Sequence, residues 1–125
     1  GDAGGGGVLS LPPSVKVYVA SAPVDMRRSF DGLSALVREA MGADPFSGHL
    51  FVFHGRSGDR AKILFWDRSG FVLWYKRLEE ERFQWPRRWP DAVMTLNEDQ
   101  LQGLLAGMDI TPRQPHKILQ YSAVL

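Results

Sequence analysis

Five aspartates and a pair of adjacent arginines are the residues of this chain with the most obvious chemistry to offer. Asp25, Asp31, Asp44, Asp59 and Asp67 are numerous enough for metal-dependent strand cleavage, which needs two or three carboxylates to converge on a cation. Their settings point to ordinary structural work. Asp25 and Asp31 stand where helix caps and first-turn acids belong, Asp59 falls in a hairpin loop, and Asp67 precedes a Ser-Gly turn. His49, His54 and His116 lack close metal-ligand spacing. The stretch "GRSGDR" only imitates a phosphate-cradling loop, because the Gly-Lys-Ser/Thr core is missing. No catalytic residue, metal ligand or cofactor is therefore expected, and a metal-dependent nuclease is the lesser reading.

The arginines pose a sharper question. In "PVDMRRSFDGL", Arg27 and Arg28 sit just ahead of an amphipathic helix, where the macrodipole already places about half a positive charge and acids would be the stabilising choice. Either they point into water and pair with Asp25 or Asp31, or the positive charge gathered there receives an anion such as a phosphate.

Further basic residues lie in the middle of the chain. Residues 54 to 88 carry nine Lys or Arg against five Asp or Glu, whereas the segments on either side are slightly acidic and the whole chain is +1. Arg56, Arg60, Lys62 and Arg68 flank a predicted hairpin, and Arg82, Arg87 and Arg88 bracket Trp85 and Trp89. Cations interleaved with aromatics suit phosphate contacts combined with base stacking. A solvated, salt-bridged face is the plainer account of the same pattern. Tryptophan and arginine are also enriched at protein interfaces, which makes Trp85, Trp89, Lys76 and Arg77 candidates for a partner surface. Trp66 and Trp74 are assigned to the core.

The elements that must position these residues can be read from period and punctuation. A chain of 125 residues, 44% hydrophobic and 23% charged, fits one domain with one core. Residues 1–7, "GDAGGGG", cannot bury surface and read as a flexible glycine-rich linker or an expression remnant. The domain is placed at 8–110, followed by an irregular tail at 111–125. Val15, Val17 and Val19 alternate as a first strand. Phe30, Leu33, Leu36, Val37, Ala40 and Met41 then form a helical stripe, with Asp31, Ser34, Arg38 and Glu39 facing out. Ser29 or Asp25 is positioned to cap its start, and Gly42 with Pro45 to end it.

Two strand-like runs, His49 to His54 and Ala61 to Trp66, read as a hairpin. Phe71, Trp74, Tyr75 and Leu78 have helical spacing, so a short helix is predicted from about 70 to 80, with a strand as the alternative. "RFQW" and "AVMTL" read as strands, and Asn97 caps a last helix. The result is an α+β single small domain, a largely antiparallel sheet with about three helices packed on one side of it. Only the first crossover is long enough for a parallel connection.

The blocks "APVDMRRSFDGLSALV", "DPFSGHLFVFHGRSGDRAKILFWDRSGF", "LWYKRLEEERFQWP" and "LQGLLAGMDI" carry a resemblance. Together, over about residues 9 to 110, they resemble the small Orf2-like accessory proteins, called TnpB, encoded by the second reading frame of insertion sequences of family sixty-six. The resemblance implies a supporting role in transposition beside a separate transposase, with no established biochemical activity.

Read together, these features predict a non-catalytic accessory protein of a mobile element. Its expected partners are DNA, bound with or without sequence preference, and the transposase of the same element. A pure protein adaptor with no DNA contact is the alternative. With no cysteine and no apolar run near the ~18 residues of a membrane span, a cytoplasmic protein without membrane contact is expected.

Overall fold

The computed structural model describes residues 11–86 and 90–110. Its elements run β1 (Val17–Ala20), α1 (Phe30–Glu39), β2 (Leu50–His54), β3 (Arg60–Asp67), β4 (Gly70–Arg77), β5 (Val93–Leu96) and α2 (Glu98–Leu105). One five-stranded sheet has the order β4-β3-β2-β1-β5. The β1–β2 pairing is parallel and the other three are antiparallel. As the connection lengths require, the parallel pair is the one joined through a helix.

Alternation along the strands sends side chains to both faces, and each face has its own cover. On one face Val17, Val19, Leu50, Val52, Ala61, Ile63, Met94 and Leu96 pack with Leu101, Leu104 and Leu105 of α2. On the other, Ala20, Phe51, Phe53 and Leu64 pack with Leu33 and Val37 of α1. The expectation that helices share one side is therefore corrected: α1 and α2 lie on opposite faces. Burial on both faces explains why every residue of β2 is buried.

The helix predicted at 70–80 is a strand. β4 pairs with β3 through eight consecutive residues, from Arg60↔Arg77 to Asp67↔Gly70. Among the described residues the helices thus number two rather than about three. "RFQW" is not a strand either. It crosses the sheet end as irregular chain and buries Phe83 against the α2-side cluster. Ser34, expected outside, is buried, and its hydroxyl donates to the Asp31 carbonyl at 3.0 Å.

The helix starts differ in how they are made. Asn97 and Gln100 form a reciprocal capping box on α2, at 2.7 and 2.8 Å. Ser29 occupies the N-cap of α1 without a side-chain cap bond, and Asp25 is engaged elsewhere.

Candidate nucleic-acid interface

β1, β2 and β4 all end on the same side of the sheet, where β3 and β5 begin. Three connections meet there: residues 21–29 leading into α1, 55–59 between β2 and β3, and the chain after β4.

Within the first connection Arg27 closes back on Asp25. Its Nε donates to Oδ1 at 3.0 Å and its terminal nitrogen to Oδ2 at 2.8 Å, a bidentate clamp on the surface. This hydrogen bonding from Arg27 holds the Asp25 carboxyl well below the usual carboxylate range. Of the two readings of the arginine pair, the internal ion pair describes Arg27. Arg28 is exposed and makes no ion pair among the described residues.

Lys62, expected to face phosphate, points inward instead. It is 7% exposed, and its Nζ donates to the carbonyls of Met26 at 2.7 Å and Arg28 at 2.8 Å. The ammonium also lies 5.0 Å from the centre of the Tyr75 ring. Burial, reinforced by the nearby Arg60 charge, pushes its pKa down. One cation of β3 therefore fixes the loop that presents Arg27 and Arg28.

Gly58 organises the second and third connections. It adopts a φ of 80°, which a side chain would resist, and its carbonyl accepts from Phe83 N at 2.9 Å and from Trp85 Nε1 at 3.2 Å. Trp85, expected as a free surface residue, is half-buried and stacks on His54 with ring centres 4.4 Å apart. In sequence His54 reads as the end of a strand and as a histidine without metal-ligand spacing, and nothing beside it announces Trp85. His54 Nε2 meets the Ala20 carbonyl at 3.0 Å, which requires that nitrogen to carry the proton, and burial lowers its pKa.

Two clefts open between these connections. One, of about 520 Å³, has Ser21, His54, Arg56, Arg82, Gln84 and Trp85 in its walls. The other, of about 430 Å³, lies between Asp25, Met26, Arg56, Ser57 and Arg60. Arg56 borders both. Arg56 and Arg82 are exposed and without ion pairs among the described residues. Arg60 lies 4.0 Å from Asp59, whose carboxyl is held down mainly by the Ser57 hydroxyl.

The remaining candidates are dispersed. Arg68 sits with φ 53° in the β3–β4 turn, just past the far end of β3, whose span from Arg60 to Asp67 is roughly 23 Å at about 3.3 Å per strand residue. The expected grouping of Arg56, Arg60, Lys62 and Arg68 around one turn is thus corrected. Lys76 donates to the Leu105 carbonyl at 3.0 Å, closing the end of α2, and Arg77 pairs with Glu79 at 3.1 Å. Arg87, Arg88 and Trp89 lie outside the described residues, as does His116. Among the described residues no cluster of three His, Asp or Glu could hold a metal ion, and no helix is long and apolar enough to cross a membrane.

The family described as IS66 Orf2 like protein matches residues 15–115, which takes in both helices, all five strands and the arginine-bearing connections. The chain belongs to this family. Two proteins of Sinorhizobium fredii are similar to this IS66 Orf2-like chain along most of their length. "Uncharacterized protein y4jC" is 39% identical over 105 residues, 82% of this chain and 89% of that protein. "Uncharacterized protein y4hO" is 40% identical over 102 residues, 82% of this chain and 88% of its own. No solved structure matches. Membership places the chain among the second-frame proteins of family sixty-six insertion sequences.

Proposed function

We propose that this IS66 Orf2-like protein is a non-catalytic accessory factor of transposition that contacts DNA phosphates through the arginines at the carboxyl end of its sheet. The observation that carries the reading is the convergence of Arg56 and Arg82, exposed and without ion pairs among the described residues, on the rims of two adjoining clefts. Residues from three separate connections meet there. Phosphate contacts of this kind supply affinity without reading sequence. Asp25, Glu79 and Asp59 neutralise or border other cations of the same end, so the attraction is local. Lys62 takes no part in the contact and acts by holding the loop.

The test is a salt series of binding to transposon-end and unrelated duplexes. Each phosphate contact removed lowers the slope of log affinity against log salt by about 0.9 on duplex DNA. Arg56→Glu with Arg82→Glu is expected to weaken binding to both duplexes and to flatten that slope. Unchanged affinity and slope would overturn the DNA reading. Capture of the partner transposase by the same double variant then reports on the adaptor reading. Supercoiled plasmid incubated with magnesium or manganese is expected to stay intact, and nicking abolished by one Asp→Asn substitution would refute the non-catalytic role.

A further inference from the structure

The two edges of the sheet are not alike. β5 is four residues long and follows Pro90 and Asp91, features that discourage strand addition. β4 is eight residues long, GFVLWYKR, without proline and with its charges confined to its last two positions. Long, apolar edges of this kind are templates for another strand.

The direction of the unpaired backbone groups on β4 follows from one bond. Leu78 N donates to the Asp59 carbonyl at 2.8 Å, which extends the β3–β4 register by one pair. Alternation in an antiparallel ladder then turns Trp74 and Lys76 toward β3 and leaves Phe71, Leu73, Tyr75 and Arg77 with N–H and C=O directed outward. Among the described residues no backbone or side-chain hydrogen bond reaches these outward groups. Three of the most exposed large apolar side chains belong to the same region: Tyr75 at 50%, Val72 at 36%, and Phe46 at 47%, whose ring lies 5.2 Å from that of Phe71.

We propose that the occupant of this edge is a second copy of the same chain, its β4 added antiparallel so that Leu73 lies across from its own counterpart on a two-fold axis. In this register Phe71 faces Tyr75 of the second copy, and Val72 faces Trp74. Arg77 falls across from Ser69 and Lys76 across from Gly70, so no two cations oppose. The outward groups of Phe71, Leu73 and Tyr75 all find partners. Sliding by two residues one way would set Lys76 against Val72 and Arg77 against Phe71, and sliding the other way would leave Tyr75 across from Ser69 and Trp74 across from Gly70, so either slip replaces apolar pairs at the ends of the strand. Such a self-complementary edge fits a closed two-fold dimer rather than an open fibre. The join makes one continuous ten-stranded sheet from two of five, and the antiparallel operator carries the two arginine-bearing ends to opposite sides. The inference stands whether or not those ends bind DNA.

Light scattering on the full chain across the micromolar range is the test. The expected mass is that of two chains. Val72→Lys, which places an ammonium against Trp74 and near Lys76 of the second copy, is expected to yield one chain with unchanged far-UV circular dichroism. Gly70→Lys, where an added side chain meets open space, sets an ammonium across from Lys76 of the second copy and decides the matter if the first variant fails to fold. Because the sequence contains no cysteine, Leu73→Cys provides an unambiguous cross-link across the axis under oxidation. A monomer throughout the range, or a dimer that both lysine variants leave intact, overturns the proposal.

Discussion

The ammonium of Lys62 donates a 2.8 Å hydrogen bond to the carbonyl oxygen of Arg28, so that one basic residue holds another in place from inside the fold. A second bond, 2.7 Å to the Met26 carbonyl, completes the anchor. The arginine loop is thereby fixed to β3 without either arginine side chain being used.

Lys62→Met should unfold the loop's support rather than remove a surface charge. Two carbonyls lose a charged donor, and leaving such groups unsatisfied costs about 1–3 kcal/mol. Arg56→Gln, at an exposed position, should stay within about 0.5 kcal/mol of the parent. Urea unfolding of the two variants distinguishes an anchor from a solvated lysine, for which both would be near neutral.

A glycine makes the same loop fit. A Cβ on Gly55 would lie 2.5 Å from Met26 Cγ, so the Met26 side chain would have to leave its place against the turn. Gly55→Ala is expected to cost about 1–3 kcal/mol. Combining it with Met26→Ala should recover part of that loss, with a coupling of about 0.5 kcal/mol or more. Simple additivity of the two changes would show that the contact does not matter.

Asp25 should titrate far below an ordinary aspartate because Arg27 hydrogen-bonds its carboxylate from both side chain and backbone. Arg27→Gln is expected to return the carboxyl toward the usual range, whereas Arg28→Gln, acting only as a nearby charge, should move it less. Carbon-detected NMR titration of Asp25 in the three proteins checks the order of these shifts.

His54 should make stability pH-dependent. Its pKa is lowered from 6.5 by burial beneath Trp85. Below the unfolded value the unfolded chain binds a proton that the folded one resists, so stability rises with pH there. The full contribution is present above about pH 6.5 and is lost progressively as the pH falls below it. Melting temperatures from about pH 8 to about pH 5 should fall more steeply for the parent than for His54→Gln, because the carboxylates common to both cancel. Parallel curves would contradict the burial effect.

Local pattern by itself determined several parts of this protein. The stripe of α1, the β2–β3 hairpin, the Asn97 cap, the single parallel crossover and the family blocks all rest on neighbouring residues, whose spacing is set by helix and strand geometry. What depended on distant chain was decided only by tertiary structure. β4 has apolar residues on both of its faces because α1 and α2 cover opposite sides of the sheet, with Phe71 and Leu73 packed on one side and Trp74 on the other. Two-sided burial erases the alternation that marks a strand and leaves a spacing that imitates a helix. The same dependence on distant partners governed the basic residues. Nothing near Lys62 in sequence announces the carbonyls of Met26 and Arg28, and nothing near Trp85 announces His54 and Gly58. Arg68 and Arg56 are close in sequence but stand at opposite ends of β3, because an extended strand separates its two ends by its full length. Charge could be counted along the chain, but strand pairing decided which cations face one another and which are consumed inside.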